Sequence, residues 1–205
     1  MRIGIIGSGN IGGALGRLWA QAGHEVFFSS RNPETLSELV EKAGSNAQAG
    51  TAEDAIAFAD IILEAIPFAA TMSLSADALA GKTLITASNY YPKRDGDVEV
   101  SAPSQSEALA QKLPKTTLVK AFNMMFADEM EARANGQTED ELAIFYAGDN
   151  PEAKTTVAQL IKEAKFVPID VGSLANGHYF QNGAPLYAER WSKKEAQEAL
   201  AQVKE

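Results

Sequence analysis

Arg2-Ile3-Gly4-Ile5-Ile6-Gly7-Ser8-Gly9-Asn10-Ile11-Gly12 runs from a short apolar strand through a G-x-G-x-x-G turn into an amphipathic helix. In such a turn the first glycine permits the tight bend and the second lets the backbone close on a pyrophosphate. The third lets the helix pack against the strand. Gly7, Gly9 and Gly12 occupy those places. The free N–H groups around Ser8, Asn10 and Ile11, with the helix dipole, would hold a diphosphate. The helix reads as Asn10 to Ala22, with Gly23 where a C-terminal cap belongs.

The next strand, Glu25 to Ser29, ends in Ser30-Arg31-Asn32-Pro33. An NAD site places an Asp or Glu about 20 residues past the glycines, bonded to the ribose hydroxyls. Here that place holds a hydroxyl and a guanidinium. A carboxylate would repel a 2′-phosphate, whereas Arg31 can grip one with two parallel bonds. Each charge-assisted bond contributes roughly 1.5–3 kcal/mol, or about one to two decades of preference. The cofactor expected is therefore NADP(H).

Downstream, strands and helices alternate. Asn32-Pro33 opens a helix of about ten residues that stops near Gly44. Ala47 to Gly50 reads as a short strand, and Thr51 caps a helix beginning Ala52-Glu53-Asp54. Asp60 to Ile66 is a nearly unbroken apolar run, as a central parallel strand should be, with Glu64 as its odd member. A helix is predicted from Ala70 to Leu79, a strand from Lys82 to Ala87, a helix from Ser104 to Leu113 and a strand from Thr117 to Phe122. Asn89 to Pro103 reads as a functional loop. Strands at Leu142 to Ala147 and Phe166 to Asp170 bracket a helix from Pro151 to Ala164, and Ser192-x-x-Glu195 is a capping box for a last helix. The alternation predicts an α/β chain with a doubly wound parallel sheet. Residues 1–150 are expected to form the dinucleotide-binding domain and residues 151–205 a C-terminal extension packing on it.

Bulk composition narrows the function. The 205 residues are 45% hydrophobic and 22% charged, with a formal net charge of −9. That acidity argues against a nucleic-acid footprint, while leaving room for an anionic small ligand held locally. With no cysteine, thiol redox chemistry, thiolate metal sites and disulfides are excluded. No apolar run approaches the ~20 residues of a membrane span. Met1-Arg2-Ile3 leads directly into the first strand, so no signal peptide and a cytoplasmic location are expected.

Several motifs carry a family resemblance. Gly7-Ser8-Gly9-Asn10-Ile11-Gly12, Gly23-His24-Glu25, Ser30-Arg31, Ile66-Pro67 and Val119-Lys120-Ala121-Phe122-Asn123 together resemble the deazaflavin (coenzyme F-420)-dependent NADP oxidoreductases. The resemblance continues through Gly148-Asp149 and Val171-Gly172-Ser173-Leu174. The chain is also similar to the cytosolic domain of six-transmembrane metalloreductases and to the N-terminal half of pyrroline-5-carboxylate reductases. The resemblance implies an NADP-binding Rossmann fold with a small C-terminal lobe, and hydride exchange between NADP(H) and a planar acceptor such as a deazaflavin or flavin. By motif, Ser8, Gly9, Asn10 and Ile11 would touch the diphosphate and Ser30 with Arg31 the 2′-phosphate. Ile66 and Pro67 would lie along the cofactor, with Ala121 and Asn123 near the nicotinamide. The family often has a basic residue in the helix after Arg31; Thr35 stands there, which would weaken the preference for NADP.

No Ser/His/Asp arrangement, metal-ligand spacing or P-loop is visible, and no catalytic residue is assigned. A Tyr-x-x-x-Lys pair is absent, since Arg94 follows Tyr90 and Asp95 follows Tyr91 at that spacing. Hydride transfer to a flat ring needs the rings held about 3–3.5 Å apart and little else. Reducing an imine or ketone would want a placed acid, for which Tyr90, Tyr179 and His178 are candidates. A redox sensor that binds NADP(H) without turnover is a further alternative. The expected partners are a small-molecule acceptor and a second copy of the chain, with Phe180, Leu186, Tyr187 and Trp191 supplying apolar surface for a homodimer.

Overall fold

A computed structural model of the chain describes residues 1–100, 102–138 and 140–204. Ser101, within the stretch read as a functional loop, and Glu139 and Glu205 lie outside the described residues. The strands are β1 (Arg2–Ile6), β2 (Glu25–Ser29), β3 (Ala47–Gly50), β4 (Ile61–Glu64), β5 (Thr83–Thr86), β6 (Thr117–Ala121), β7 (Ala143–Gly148) and β8 (Val167–Gly172). Between them lie α1 (Asn10–Gln21), α2 (Ser37–Ala43), α3 (Ala52–Phe58), α4 (Phe68–Thr71), α5 (Pro92–Asp95), α6 (Gln105–Lys112), α7 (Ala127–Ala134) and α8 (Pro151–Glu163). A final helix, α9 (Lys193–Val203), follows β8, and 3₁₀ turns span Pro33–Leu36 and Leu174–Phe180. No helix of the described residues is long and apolar enough to cross a membrane.

The strands form one eight-stranded sheet in the order β3-β2-β1-β4-β5-β6-β7-β8. After β1 the chain winds outward through β2 and β3, then returns to lay β4 on the other side of β1. The point where the order reverses lies between β1 and β4, the place where open α/β sheets bind ligands. Successive residues of each strand point to opposite faces. Ile5, Leu63, Ile85 and Val119 meet Leu15, Leu18 and Trp19 of α1 on one face. Ile62, Leu84 and Leu118 meet Ile56 of α3 and Leu109 of α6 on the other. This is the doubly wound α/β architecture that the alternation predicts.

Three local features differ from the sequence reading. First, β7 runs antiparallel to β6, while every other pairing is parallel. The connection from β6 carries α7, which packs on α1 rather than crossing the sheet, so the chain re-enters at the rim it left. A normal crossover through α8 then sets β8 parallel to β7, and residues 151–205 thereby supply a strand to the common sheet. Second, the helix expected from Ala70 to Leu79 is only α4. Ser73 bonds back to the Ala69 carbonyl at 3.1 Å and Ser75 accepts the Ala78 N–H at 3.3 Å, local bonds that compete with helix propagation. Third, the stretch after Pro33 begins as a 3₁₀ turn before α2.

The tail folds back on its own chain. Phe180 and Leu186 are buried in the core, and Tyr187 and Trp191 pack against it, so these side chains are used within the protomer.

Candidate functional site

The carboxyl end of β1 bends sharply. Gly7 sits at φ +94°, and a Cβ there would lie 2.4 Å from Ile66 Cγ2. A Cβ on Gly12 would lie 2.1 Å from the Gly7 carbonyl oxygen, so α1 can approach β1 only without one. In front of Gly9 the space is open, with nothing within 4 Å of a Cβ position. The Ser8 hydroxyl accepts the Ser29 N–H at 3.0 Å, and the Ser29 hydroxyl donates to the Ile5 carbonyl at 2.7 Å. These bonds lock the ends of β1 and β2 together.

The start of α1 differs from the starts of α3, α6 and α9. α3, α6 and α9 open with reciprocal capping boxes from Thr51/Asp54, Ser104/Glu107 and Ser192/Glu195. α1 has Gly9 at its N-cap, no side-chain cap and no acidic residue in its first turn. Its amides and the positive end of its dipole are left for an anion.

A cavity of about 820 Å³ joins this turn to the end of β2. Gly7, Ser8, Gly9, Ser30, Arg31, Thr35, Ile66 and Pro67 line it, with Glu53 at the start of α3. Arg31 is exposed. Beside it the Ser30 hydroxyl accepts the Asn32 N–H at 3.1 Å, and the Thr35 hydroxyl donates to the Asn32 carbonyl at 2.7 Å. The turn, the open helix start and the basic, hydroxyl-rich wall thus fit a dinucleotide with a phosphate on its ribose. Asn10 is exposed, Ile11 half-buried and Gly12 buried at the turn's edge, outside the cavity lining.

Ala121 and Asn123 also lie outside that lining, buried at the carboxyl end of β6. Phe122 between them is left-handed at φ +64°, strained for a bulky residue, with its ring edge-on to Trp19 at 5.9 Å. The strained turn points the next side chain back into a closed amide pair. Asn89 donates to the Asn123 carbonyl at 2.8 Å, and Asn123 Nδ2 donates to Asn89 Oδ1 at 3.0 Å and to the Phe180 carbonyl at 2.8 Å.

Beneath these ends runs a polar row that sequence reading only half saw. Glu64, Thr86 and Lys120 are in register across β4, β5 and β6, and all are buried. The Glu64 carboxylate accepts from the Thr71 and Ser88 hydroxyls at 2.8 Å each, from Thr86, and from the Ile66 N–H. It therefore anchors the Ile66–Pro67 turn that lines the cavity. Burial raises the Glu64 pKa against the opposing pull of those donors. Burial pushes the Lys120 amine down to about 8, with Glu64 partly restoring it. The sequence alone gives Lys120 no role. Its signal was a lysine inside an apolar strand, but its alignment with Glu64 is a fact of register.

Two of the three proton-donor candidates of the alternative reading, Tyr90 and His178, are engaged elsewhere. The Tyr90 hydroxyl donates to the Gly96 carbonyl at 2.8 Å, and His178 Nδ1 lies 2.8 Å from the Ala175 carbonyl, its ring against Tyr179. His24 is buried against Glu163 at 2.7 Å, far from the cavity. A second hollow of about 640 Å³ lies over β7 and α8, where the Lys154 amine is already paired with Asp170 at 2.8 Å and donates to the Gly172 carbonyl. Among the described residues no cluster of His, Asp or Glu could hold a metal ion.

The chain is similar to known proteins in sequence and in fold. Residues 2–90 match the family described as NADP oxidoreductase, coenzyme F420-dependent. The rat (Rattus norvegicus) metalloreductase STEAP3 is 34% identical over 178 residues, covering 85% of this chain and 34% of that protein. The chain thus spans about a third of the length of that curated relative. Among solved structures, SMa0349 from Sinorhizobium meliloti superposes with a TM-score of 0.76 at 29% identity, over 94% of this chain and 95% of that one. A protein from Arthrobacter sp. FB24 described as an F420-dependent NADP reductase has a TM-score of 0.71 at 25% identity, over 85% and 86% of the two chains. Residues 2–90 therefore carry the signature of the coenzyme F420-dependent NADP oxidoreductases, a family whose dinucleotide is NADP(H).

Proposed function

We propose that this protein is a reductase that holds NADPH over the carboxyl ends of β1, β2 and β4 and passes its hydride to a planar acceptor such as a deazaflavin or flavin. The diphosphate rests on the open start of α1. Arg31, with Ser30 and Thr35, takes the 2′-phosphate, and Ile66–Pro67 supports the far half of the cofactor. When bound, the dinucleotide supplies the hydride; the chain binds it, fixes its orientation and keeps water from its inner side. The observation that carries this reading is the single cavity in which the glycine turn, Arg31 and the Ile66–Pro67 turn meet.

The surroundings of the strand ends support a planar acceptor. Buried Phe68 and the Asn89–Asn123 amide pair, with half-buried Tyr90 beside them, surround those ends, and two of the three proton-donor candidates, Tyr90 and His178, are bonded to backbone carbonyls. Such a wall suits a flat ring that needs positioning. The test is a fluorescence titration of NADPH and NADH with wild-type and Arg31→Ala protein. The variant should lose NADPH affinity by tenfold or more and keep its NADH affinity. Equal loss for both cofactors would refute the role of Arg31.

A further inference from the structure

Three buried polar groups without partners gather under one segment of the tail. The Ser106 hydroxyl and Asn123 Oδ1 are buried and have no hydrogen-bond partner among the described residues. The Lys120 amine has neither a hydrogen bond nor an ion pair among them, although the residue is only 1% exposed. All three meet Leu174–Phe180. A Cβ on Gly177 would lie 2.4 Å from Ser106 Oγ and 3.0 Å from Lys120 Cδ. The Lys120 amine lies 5.9 Å from the centre of the Phe180 ring, and Asn123 Nδ2 reaches the Phe180 carbonyl at 2.8 Å.

Buried polar groups are almost always partnered, so a local group of exceptions calls for an explanation. The neighbouring carboxylate does not supply one. Glu64 is saturated by three hydroxyls and a backbone N–H, and forms no ion pair with Lys120 among the described residues. The segment is fastened at its far end by amides: Gln105 Nε2 to Asn182 Oδ1 at 2.8 Å and Asn182 Nδ2 to the Tyr90 carbonyl at 2.9 Å. Amide bonds of this kind can be exchanged for bonds to water when a segment lifts.

We infer that the ground beneath residues 174–182 is the subsite for the acceptor's imide edge. This deepens the reading of the protein as a reductase of a planar ring and rests on it. The chemistry of the three groups selects the ligand. An ammonium donates, a hydroxyl donates, and an amide oxygen accepts. A flavin or deazaflavin carries a pyrimidinedione edge in which carbonyl oxygens flank an N–H. Lys120 and Ser106 bond a carbonyl of that edge, and Asn123 Oδ1 accepts its N–H. To admit the ring the segment must move aside, which takes Leu174 and Phe180 out of the core they fill.

The experiment uses riboflavin 5′-phosphate as the probe, read by quenching of its fluorescence on the full chain saturated with NADP⁺. NADPH affinity is measured in parallel. Lys120→Met should weaken the probe tenfold or more and Ser106→Ala about threefold, with NADPH affinity held within about twofold. Amide hydrogen exchange across 174–182 should become faster when the probe binds, because the lifted segment opens its amides to solvent. If Lys120→Met does not fold, the loss in Ser106→Ala and the exchange change decide the matter. The inference is overturned if wild-type protein binds NADPH but not the probe, or if both variants bind the probe as wild type does. Failure of the wild-type chain to bind NADPH at all would instead overturn the cofactor reading.

Discussion

Replacing Lys120 with methionine should make the protein more stable at neutral pH, against the usual outcome of a core substitution. The amine is held at about 8 by burial, with Glu64 opposing, against an ordinary 10.5. Folding therefore loosens its grip on a proton by about 3 kcal/mol. The sign follows from proton counts. Between those two pH values the unfolded chain binds the proton and the folded chain does not, so stability rises with pH across that window. Below about pH 8 the folded protein carries the whole cost of the buried charge. Methionine has similar length, fills the same space and carries no charge, so at pH 7 the variant should gain up to about 3 kcal/mol. For a chain of this size that is on the order of 10 °C in Tm. The assay is urea unfolding at pH 7 and pH 10, with slopes compared to confirm that the same surface is exposed. The advantage of the variant should shrink by more than half between the two pH values. A variant less stable than wild type at pH 7, or an advantage equal at both, would refute the argument. A stabilising loss of a lysine is what a group kept for function predicts.

Other perturbations test other parts of the structure. Gly12→Ala should abolish or sharply weaken binding of NADPH and NADH alike in a titration, because the added carbon meets the Gly7 carbonyl at 2.1 Å and must push α1 off the turn. Thr35→Lys should tighten NADPH by about tenfold and leave NADH unchanged, since the side chain lines the cavity beside Arg31 and would add a charge-assisted bond to the 2′-phosphate. Thr51→Ala removes a reciprocal cap on α3 and should cost about 1 kcal/mol in denaturant unfolding, without altering discrimination between the two cofactors.

The parts legible in the sequence are those fixed by neighbours along the chain. The glycine turn, the end of β2 at Ser30–Arg31 and the capping boxes at Thr51, Ser104 and Ser192 each depend on a few consecutive residues. The apolar runs of β4 and β5 announced buried parallel strands for the same reason. What escaped depends on distant partners. Nothing local to Met124-Met125-Phe126 says that α7 follows it and packs on α1, reversing β7. Alternating strands and helices look alike whether the last pair is parallel or turned. Likewise Lys120 gains meaning only when pairing of β4, β5 and β6 sets it level with Glu64. Ser106 joins it from α6 only because Leu174–Phe180 lies across both.

The contact between Trp19 and Phe122 gives the protein a built-in optical gauge. The indole is fully buried, donates to the Leu160 carbonyl at 2.9 Å and receives the edge of the phenyl ring at 5.9 Å. Any occupant that relaxes the strained turn at Phe122 must slide that edge across the indole and change its emission. The chain contains just one other tryptophan, Trp191, so a Trp191→Phe background isolates the signal. Rearrangement at the end of β6 can then be timed by stopped flow without attaching a dye.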